Sequence, residues 1–286
     1  MQEILEVLQD TAIDTIKLLP FLFITYLIME YIEHKTSNKV KDVIKKSGKF
    51  GPLLGAIVGI FPQCGFSVSA TNLYAGRVIT LGTLISVYLA TSDEMLPILL
   101  TEAVPAGTIF TILGIKLVLG IVAGFIIDFV IRMFRKEKVE EEEEKIEEIC
   151  EHEHCHCEEG IVTSAIKHTL NITIFIFFIT LVLNGIIAYI GEDTIAHFIS
   201  KNVILGPIVA GLIGLIPNCA SSVILTELFI SNVISMPVLI SGVAVNAGVG
   251  LLVLFKTNKN VKENIKIVGI LYLIGVLAGI ILELFL

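Results

Sequence analysis

Two heptapeptides hold the residue types best suited to binding chemistry: Phe61-Pro62-Gln63-Cys64-Gly65-Phe66-Ser67 and Ile216-Pro217-Asn218-Cys219-Ala220-Ser221-Ser222. Each runs proline, amide, thiol and, three residues later, hydroxyl. Proline lacks a backbone donor and disrupts helical hydrogen bonding around itself. The residues after it can therefore present backbone groups, an amide (Gln63 or Asn218), a thiol (Cys64 or Cys219) and a serine (Ser67 or Ser222). A half-helix starting at such a break carries partial positive charge that favours anions, whereas thiols and amide oxygens suit a metal ion. A single copy would read as a kinked helix with a packed cysteine; the duplication favours a binding role.

Charged residues inside apolar sequence rank next. Asp93 and Glu94 lie between two short apolar pieces, and carboxylates within a membrane are costly and usually functional. Glu227 is isolated between the uncharged runs 202–226 and 228–255, where it can bind substrate or pair with another charge. Asp93, Glu94 and Glu227 are the candidate proton carriers. Lys116 is mid-segment and could pair with an acid such as Glu227, while Arg77 is expected at an external or vestibular boundary. Gly120 with Gly124, and Gly275 with Gly279, read as small-xxx-small helix packing.

A third group lies in a tract of different character. Cys150, His152, His154, Cys155, His156 and Cys157 stand among carboxylates. Thiols and imidazoles at this density suit zinc, copper or another borderline-soft metal. The spacing is not that of a defined finger, so the tract reads as a capture or buffering segment.

The elements that must hold these residues are membrane helices. Of 286 residues only 17% are charged, and the mean hydropathy is +0.87. Uncharged runs of 27, 23, 25 and 28 residues occupy 50–76, 169–191, 202–226 and 228–255. A spanning helix needs about 20 such residues. The net charge of −8 is uneven, because 132–160 alone holds 12 acidic and 5 basic residues. A basic nucleic-acid-binding surface is thereby excluded as the main theme, and five cysteines with three in one tract do not make a disulfide framework. The acidic N-terminus lacks the basic region of a cleavable signal, so the first apolar segment reads as a retained helix.

The chain is written twice. At an offset of 155, Gly51, Pro52, Gly59, Pro62, Cys64, Ser67 and Thr71 fall on Gly206, Pro207, Gly214, Pro217, Cys219, Ser222 and Thr226. Gly120 and Gly124 fall on Gly275 and Gly279, and Asp128 on Glu283. The match is asymmetric at the acids: Gly248 and Val249 replace Asp93 and Glu94, with Asn246 opposite Thr91. The expected organisation is a first membrane repeat (1–131), an acidic Cys/His-rich linker (132–160) and a second membrane repeat (161–286).

Lysine placement sets the expected orientation, since cytoplasmic loops carry the basic excess. The loop 34–49 holds six lysines and its mate 191–205 one; 256–266 holds four and its mate 101–111 none. Equivalent loops then face opposite sides. The expected fold is an all-α polytopic membrane protein of two inverted-topology repeats with broken or re-entrant helices, a signature of secondary transporters. It places the protein in the cell (inner) membrane with a cytoplasmic linker and external termini. Residues 51–100 must cross an odd number of times, and fifty residues of helix reach only about 75 Å. Broken or re-entrant pieces plus one spanning helix satisfy both constraints.

At Phe61 to Ser67, Ala90 to Leu100 and Ile216 to Ser222 the sequence resembles a family of ten-segment heavy-metal exporters labelled arsenic efflux protein or manganese transporter. The resemblance extends over essentially both repeats. It implies efflux of a metal or metalloid ion such as Mn²⁺ or arsenite, and points at Gln63, Cys64, Asp93, Glu94, Asn218 and Cys219. Arsenite as a trithiolate would want three membrane cysteines where two exist, and Mn²⁺ prefers oxygen ligands. A divalent cation is slightly favoured.

The expectation is a secondary transporter, not an enzyme, working by alternating access; no nucleotide-binding motif is present, so an ion or proton gradient must drive uphill flux. No cofactor is required beyond a transported or linker-bound metal ion. The partners are the lipid bilayer and the ion, with no nucleic acid, and a homo-oligomer is compatible. Rival readings are a permease for an oxyanion or sulfur-containing anion, and a membrane metal sensor. An intramembrane thiol enzyme lacks a histidine base, because His34, His168 and His197 lie near segment ends.

Overall fold

The computed structural model describes residues 50–62, 64–134, 161–190 and 204–285, with scattered positions between 8 and 27. Among the described residues all regular structure is helical. The helices are α1 (Gly51–Gly59), α2 (Cys64–Ala75), α3 (Leu81–Ala90), α4 (Met95–Thr101), α5 (Ala106–Phe134), α6 (Ile161–Ile190), α7 (Leu205–Gly214), α8 (Cys219–Ile230), α9 (Met236–Val245), α10 (Gly250–Thr257) and α11 (Val261–Phe285). The starts of α2, α3, α4 and α5 recur 155 residues later as the starts of α8, α9, α10 and α11.

Five stretches are long and apolar enough to cross a membrane: Leu81–Thr101, Ala106–Met133, Ala165–Val182, Met236–Thr257 and Val261–Phe285. The chain is a multi-pass membrane protein. The first and fourth stretches are each two short helices joined by an unwound break. They form the interior, being 72% and 89% buried, against 33% for the flanking α5 and α11. The outer helices turn apolar side chains such as Phe110, Phe129, Leu273 and Leu277 outward. That outward face is the lipid surface of a membrane protein.

Local chemistry starts each half-helix. Thr80 caps α3, its side chain accepting from the Thr83 amide, and Ser235 caps α9 by accepting from the Val238 amide. Such caps satisfy orphan amides of the first turn. An acid from the flanking long helix reinforces each cap. Asp128 accepts from the Gly82 amide at 2.9 Å and from the Thr80 hydroxyl at 2.7 Å; Glu283 accepts from the Ser235 hydroxyl at 2.8 Å. A carboxylate there also suits the positive end of the helix.

The glycine pairs do pack helices. A Cβ at Gly120 would lie 2.8 Å from the Ser86 carbonyl, and one at Gly279 would lie 2.6 Å from the Ser241 side chain. α5 thus lies backbone-close on α3, and α11 on α9.

α1 and α2 form a helical hairpin that reaches halfway along the broken span. The start of α1 packs on Thr83, and its end, Gly59, meets Val87 and Ala90 at the far end of α3. α2 then returns, and residues 76–80 lead directly into α3. The hairpin tip therefore lies level with the break after Ala90. α7 and α8 repeat the arrangement on α9: Ser86 donates to the Pro52 carbonyl at 2.5 Å, and Ser241 to the Pro207 carbonyl at 2.7 Å. The halves interlock by exchange. α2 packs against α10, and α8 against α4.

Arg77, expected at an external or vestibular boundary, lies just after α2 at the end of the first hairpin. It pairs with Glu263 at 2.9 Å, and the Tyr74 hydroxyl donates to the same carboxylate. Glu263 belongs to the lysine-rich segment 256–266, so Arg77 shares that segment's side. The hairpin brings it back: an even number of passes between 51 and 77 returns the chain to where α1 began.

Candidate functional site

The two unwound breaks, 91–94 and 246–249, arise from different chemistry. In the first, Pro97 lies four residues after Asp93. A helix continued backward would drive its ring against the Asp93 carbonyl, which would also lose its amide partner. The chain leaves helical geometry at Thr91 (ψ 126°), and Asp93 adopts φ +31°. In the second, the Asn246 side-chain oxygen accepts from the Gly248 amide at 2.7 Å, a side-chain turn that competes with helix. Gly248 takes φ +54°, a conformation natural to glycine. Holding aspartate at positive φ costs roughly 1–3 kcal/mol, and such strain clusters at functional sites.

The breaks meet. Asp93 is buried, and its carboxylate lies against the Gly248 backbone, where a Cβ would come within 2.7 Å of Oδ2. The hairpins touch the same centre. The Asn246 side chain donates to Ser221 at 3.1 Å, one turn into α8. Ser67 of α2 packs against Gly250, and Thr71 donates to the Gly250 carbonyl at 3.1 Å. The Tyr88 hydroxyl reaches the same carbonyl at 3.3 Å. The two hairpins and two broken spans therefore converge on one buried polar centre.

The expected site residues divide as follows. Ser67, Asp93, Asn218, Cys219 and Ser222 are all buried; Ser67 packs on Gly250, and Asn218, Cys219 and Ser222 flank Ser221 at the start of α8. The Asn218 side chain caps α8 by accepting from the Ala220 amide, and Ser222 donates to the Cys219 carbonyl at 2.8 Å. Glu94 is half-buried at the start of α4. Cys64 opens α2. Glu227 is exposed on α8. Gln63 and the linker residues Cys150, His152, His154, Cys155, His156 and Cys157 lie outside the described residues.

Sequence reasoning gave little weight to three residues at the centre: Asn246, Gly248 and Lys116. The spacing of Asp93 to Pro97, and the Asn-x-Gly of the second half, are the signals that mark the breaks. Lys116 is fully buried in α5, and its ammonium donates to the Val243 carbonyl at 2.6 Å, in the last turn of α9. Lys116 thus reaches the end of α9, before the break that faces Asp93, whereas Glu227 is exposed on α8.

Among the described residues no group of three or more His, Cys, Asp or Glu side chains forms a ready metal cage. The centre instead offers one carboxylate, amide and hydroxyl oxygens, and carbonyls at helix ends. Oxygen donors of this kind suit hard cations. A separate pocket of about 380 Å³ opens between α1, α2 and α3, lined by Leu54, Val58, Phe66 and Leu73 among others. Its lining holds no ionisable side chain.

A family model described as "Putative, 10TM heavy-metal exporter" matches residues 2–190. The match takes in the first hairpin, the Asp93 break and α5, and stops before the second hairpin, so it is narrower than the expected resemblance over both repeats. No curated protein and no solved structure matches the chain.

Proposed function

The chain belongs to that exporter family, and from this premise we propose that it exports a divalent heavy-metal cation, of which Mn²⁺ is the best chemical fit, through the centre where the two breaks meet. The observation that carries this reading is the buried Asp93 carboxylate, held at positive φ in an unwound break against the Gly248 backbone. An intramembrane acid among half-helix ends is the usual form of a cation site in transporters built from discontinuous helices. Asn218, Ser67, Ser222 and the carbonyls of the two breaks are the oxygens that could complete the shell, with Glu94 beside them. Cys219 could add a softer donor, and Gln63 and Cys64 are assigned by their place at the first hairpin.

In this proposal the halves, 1–131 and 161–286, are inverted repeats, and alternating access arises as the hairpins move relative to the broken spans. The linker 132–160 is a cytoplasmic accessory whose thiols and imidazoles capture metal. An anion permease gains less support: the first turn of α8, which would hold the anion, is already capped by Asn218. A sensor role would rest on the linker alone.

The test is metal content and metal tolerance of cells expressing the wild type, Asp93→Asn, or the Cys64→Ala/Cys219→Ala pair, over a panel of divalent metals and arsenite. Asp93→Asn should abolish the Mn²⁺ phenotype while the protein still reaches the membrane. Unchanged content and tolerance across the panel would sink the export reading. Loss of arsenite tolerance alone, through the cysteine pair, would move the substrate to the metalloid.

A further inference from the structure

Lys116 is a buried charge that the export reading leaves unused. It stands in the middle of α5, fully enclosed, in a helix whose outer face is apolar. Its ammonium donates to the Val243 carbonyl at 2.6 Å. Val243 follows Gly242, whose carbonyl takes the last amide of the α9 ladder from the cap residue Asn246, so Val243 is among the helix-end carbonyls left for other donors. Such a helix end carries partial negative charge. One turn further along α5, Gly120 packs on Ala90, the last helical residue before the break that holds Asp93, and Asp93 itself lies against Gly248 in the break that follows Val243.

The ammonium thus stands on a helix C-terminus at the paired breaks that hold the buried carboxylate. These are the same two negative features that a metal cation would seek at the paired breaks. The placement is one-sided. The residue 155 positions later is Leu271, packed in the apolar core, just as Gly248 replaces Asp93. Lys116 and Asp93 both come from the first half and contact the second. An uncompensated carboxylate in an apolar interior costs several kcal/mol, and a nearby cation offsets that cost.

We propose that Lys116 is a tethered cation that neutralises the Asp93 site when it is empty, and that a divalent cation binds by displacing this charge from Asp93. The inference rests on the reading of Asp93 as the cation's ligand. Binding then becomes an exchange of one cation for another, and the returning ammonium assists release. A lysine that served only to cap α9 would have no such effect on affinity.

The experiment is isothermal titration of detergent-solubilised protein with MnCl₂, comparing wild type, Lys116→Gln, Lys116→Arg and Asp93→Asn. Lys116→Gln retains a donor for the Val243 carbonyl but removes the charge, and it should bind Mn²⁺ at least about tenfold more tightly than wild type. Lys116→Arg should stay near wild type, and Asp93→Asn should lose binding. Equal or weaker binding by Lys116→Gln, with wild type binding normally, overturns the tethered-cation role and leaves the cation site standing. Absence of Mn²⁺ binding in wild type overturns both. If Lys116→Gln is not monodisperse, Lys116→Met against Lys116→Arg makes the same comparison: the neutral variant must bind more tightly, and equal affinities overturn the proposal.

Discussion

Asp93 and Gly248 occupy equivalent positions, 155 residues apart, both have positive φ, and the carboxylate of one lies against the backbone of the other. Two copies of one unwound break thus face each other with opposite endowments. One supplies a charge and the other the room for it.

Gly248→Ala should therefore be disabling out of proportion to its size. A side chain at φ +54° costs roughly 1–2 kcal/mol, and its Cβ would press on Asp93 Oδ2 at 2.7 Å. The expected outcome is a lowered melting temperature and loss of Mn²⁺ tolerance. Gly269→Ala, where a Cβ meets nothing within 4 Å, should change neither. Thermal unfolding in detergent and a growth assay check the pair.

The two cap-supporting acids should differ in weight. Asp128 is buried and holds two donors, so Asp128→Ala strands the Gly82 amide and should cost about 1–3 kcal/mol. Glu283 accepts one exposed hydroxyl, and Glu283→Ala should cost under about 1 kcal/mol. Melting temperatures of the two variants should fall in that order; a larger loss for Glu283→Ala would contradict the assigned roles.

Gly124→Val should destabilise by about 1–3 kcal/mol through overpacking. The added bulk meets the Gly82 carbonyl at 2.7 Å, and backbone at such a contact cannot yield cheaply. Gly114→Val, in the same helix with nothing within 4 Å, is the control. Monodispersity on size-exclusion chromatography reads the difference.

Arg77 and Glu263 should report from one side of the membrane. Cysteines substituted singly at these positions should be labelled by a membrane-impermeant maleimide from the same face, since the native side chains approach to 2.9 Å. Labelling from opposite faces would contradict the hairpin that returns α2 to the start of α3.

Much of the architecture was legible in short windows. Long uncharged runs mark membrane helices because lipid offers no partner to charge. Pro62 and Pro217 mark the hairpin tips because proline cannot continue a helical ladder. The gap between Ala90 and Met95 was visible as two acids between apolar pieces, but its nature as a break was not. That break depends on Pro97 acting four residues back, a steric effect that composition does not display.

The sequence by itself determined the class of the molecule, the offset of 155 and the identity of the sparse polar residues, because hydropathy, proline chemistry and residue spacing are properties of neighbouring residues. Only the tertiary structure decided which of them meet. Asp93 reaches Gly248, Lys116 reaches the end of α9 at Val243, Asn246 reaches Ser221, and Glu227 is exposed. Those pairings join segments far apart in the chain. They follow from hairpins that stop halfway along the broken spans and from the exchange of α2 and α8 between the halves. Burying one carboxylate and one ammonium in the same apolar interior is tolerable only when packing brings them within each other's field, and packing is a property of the assembled helices.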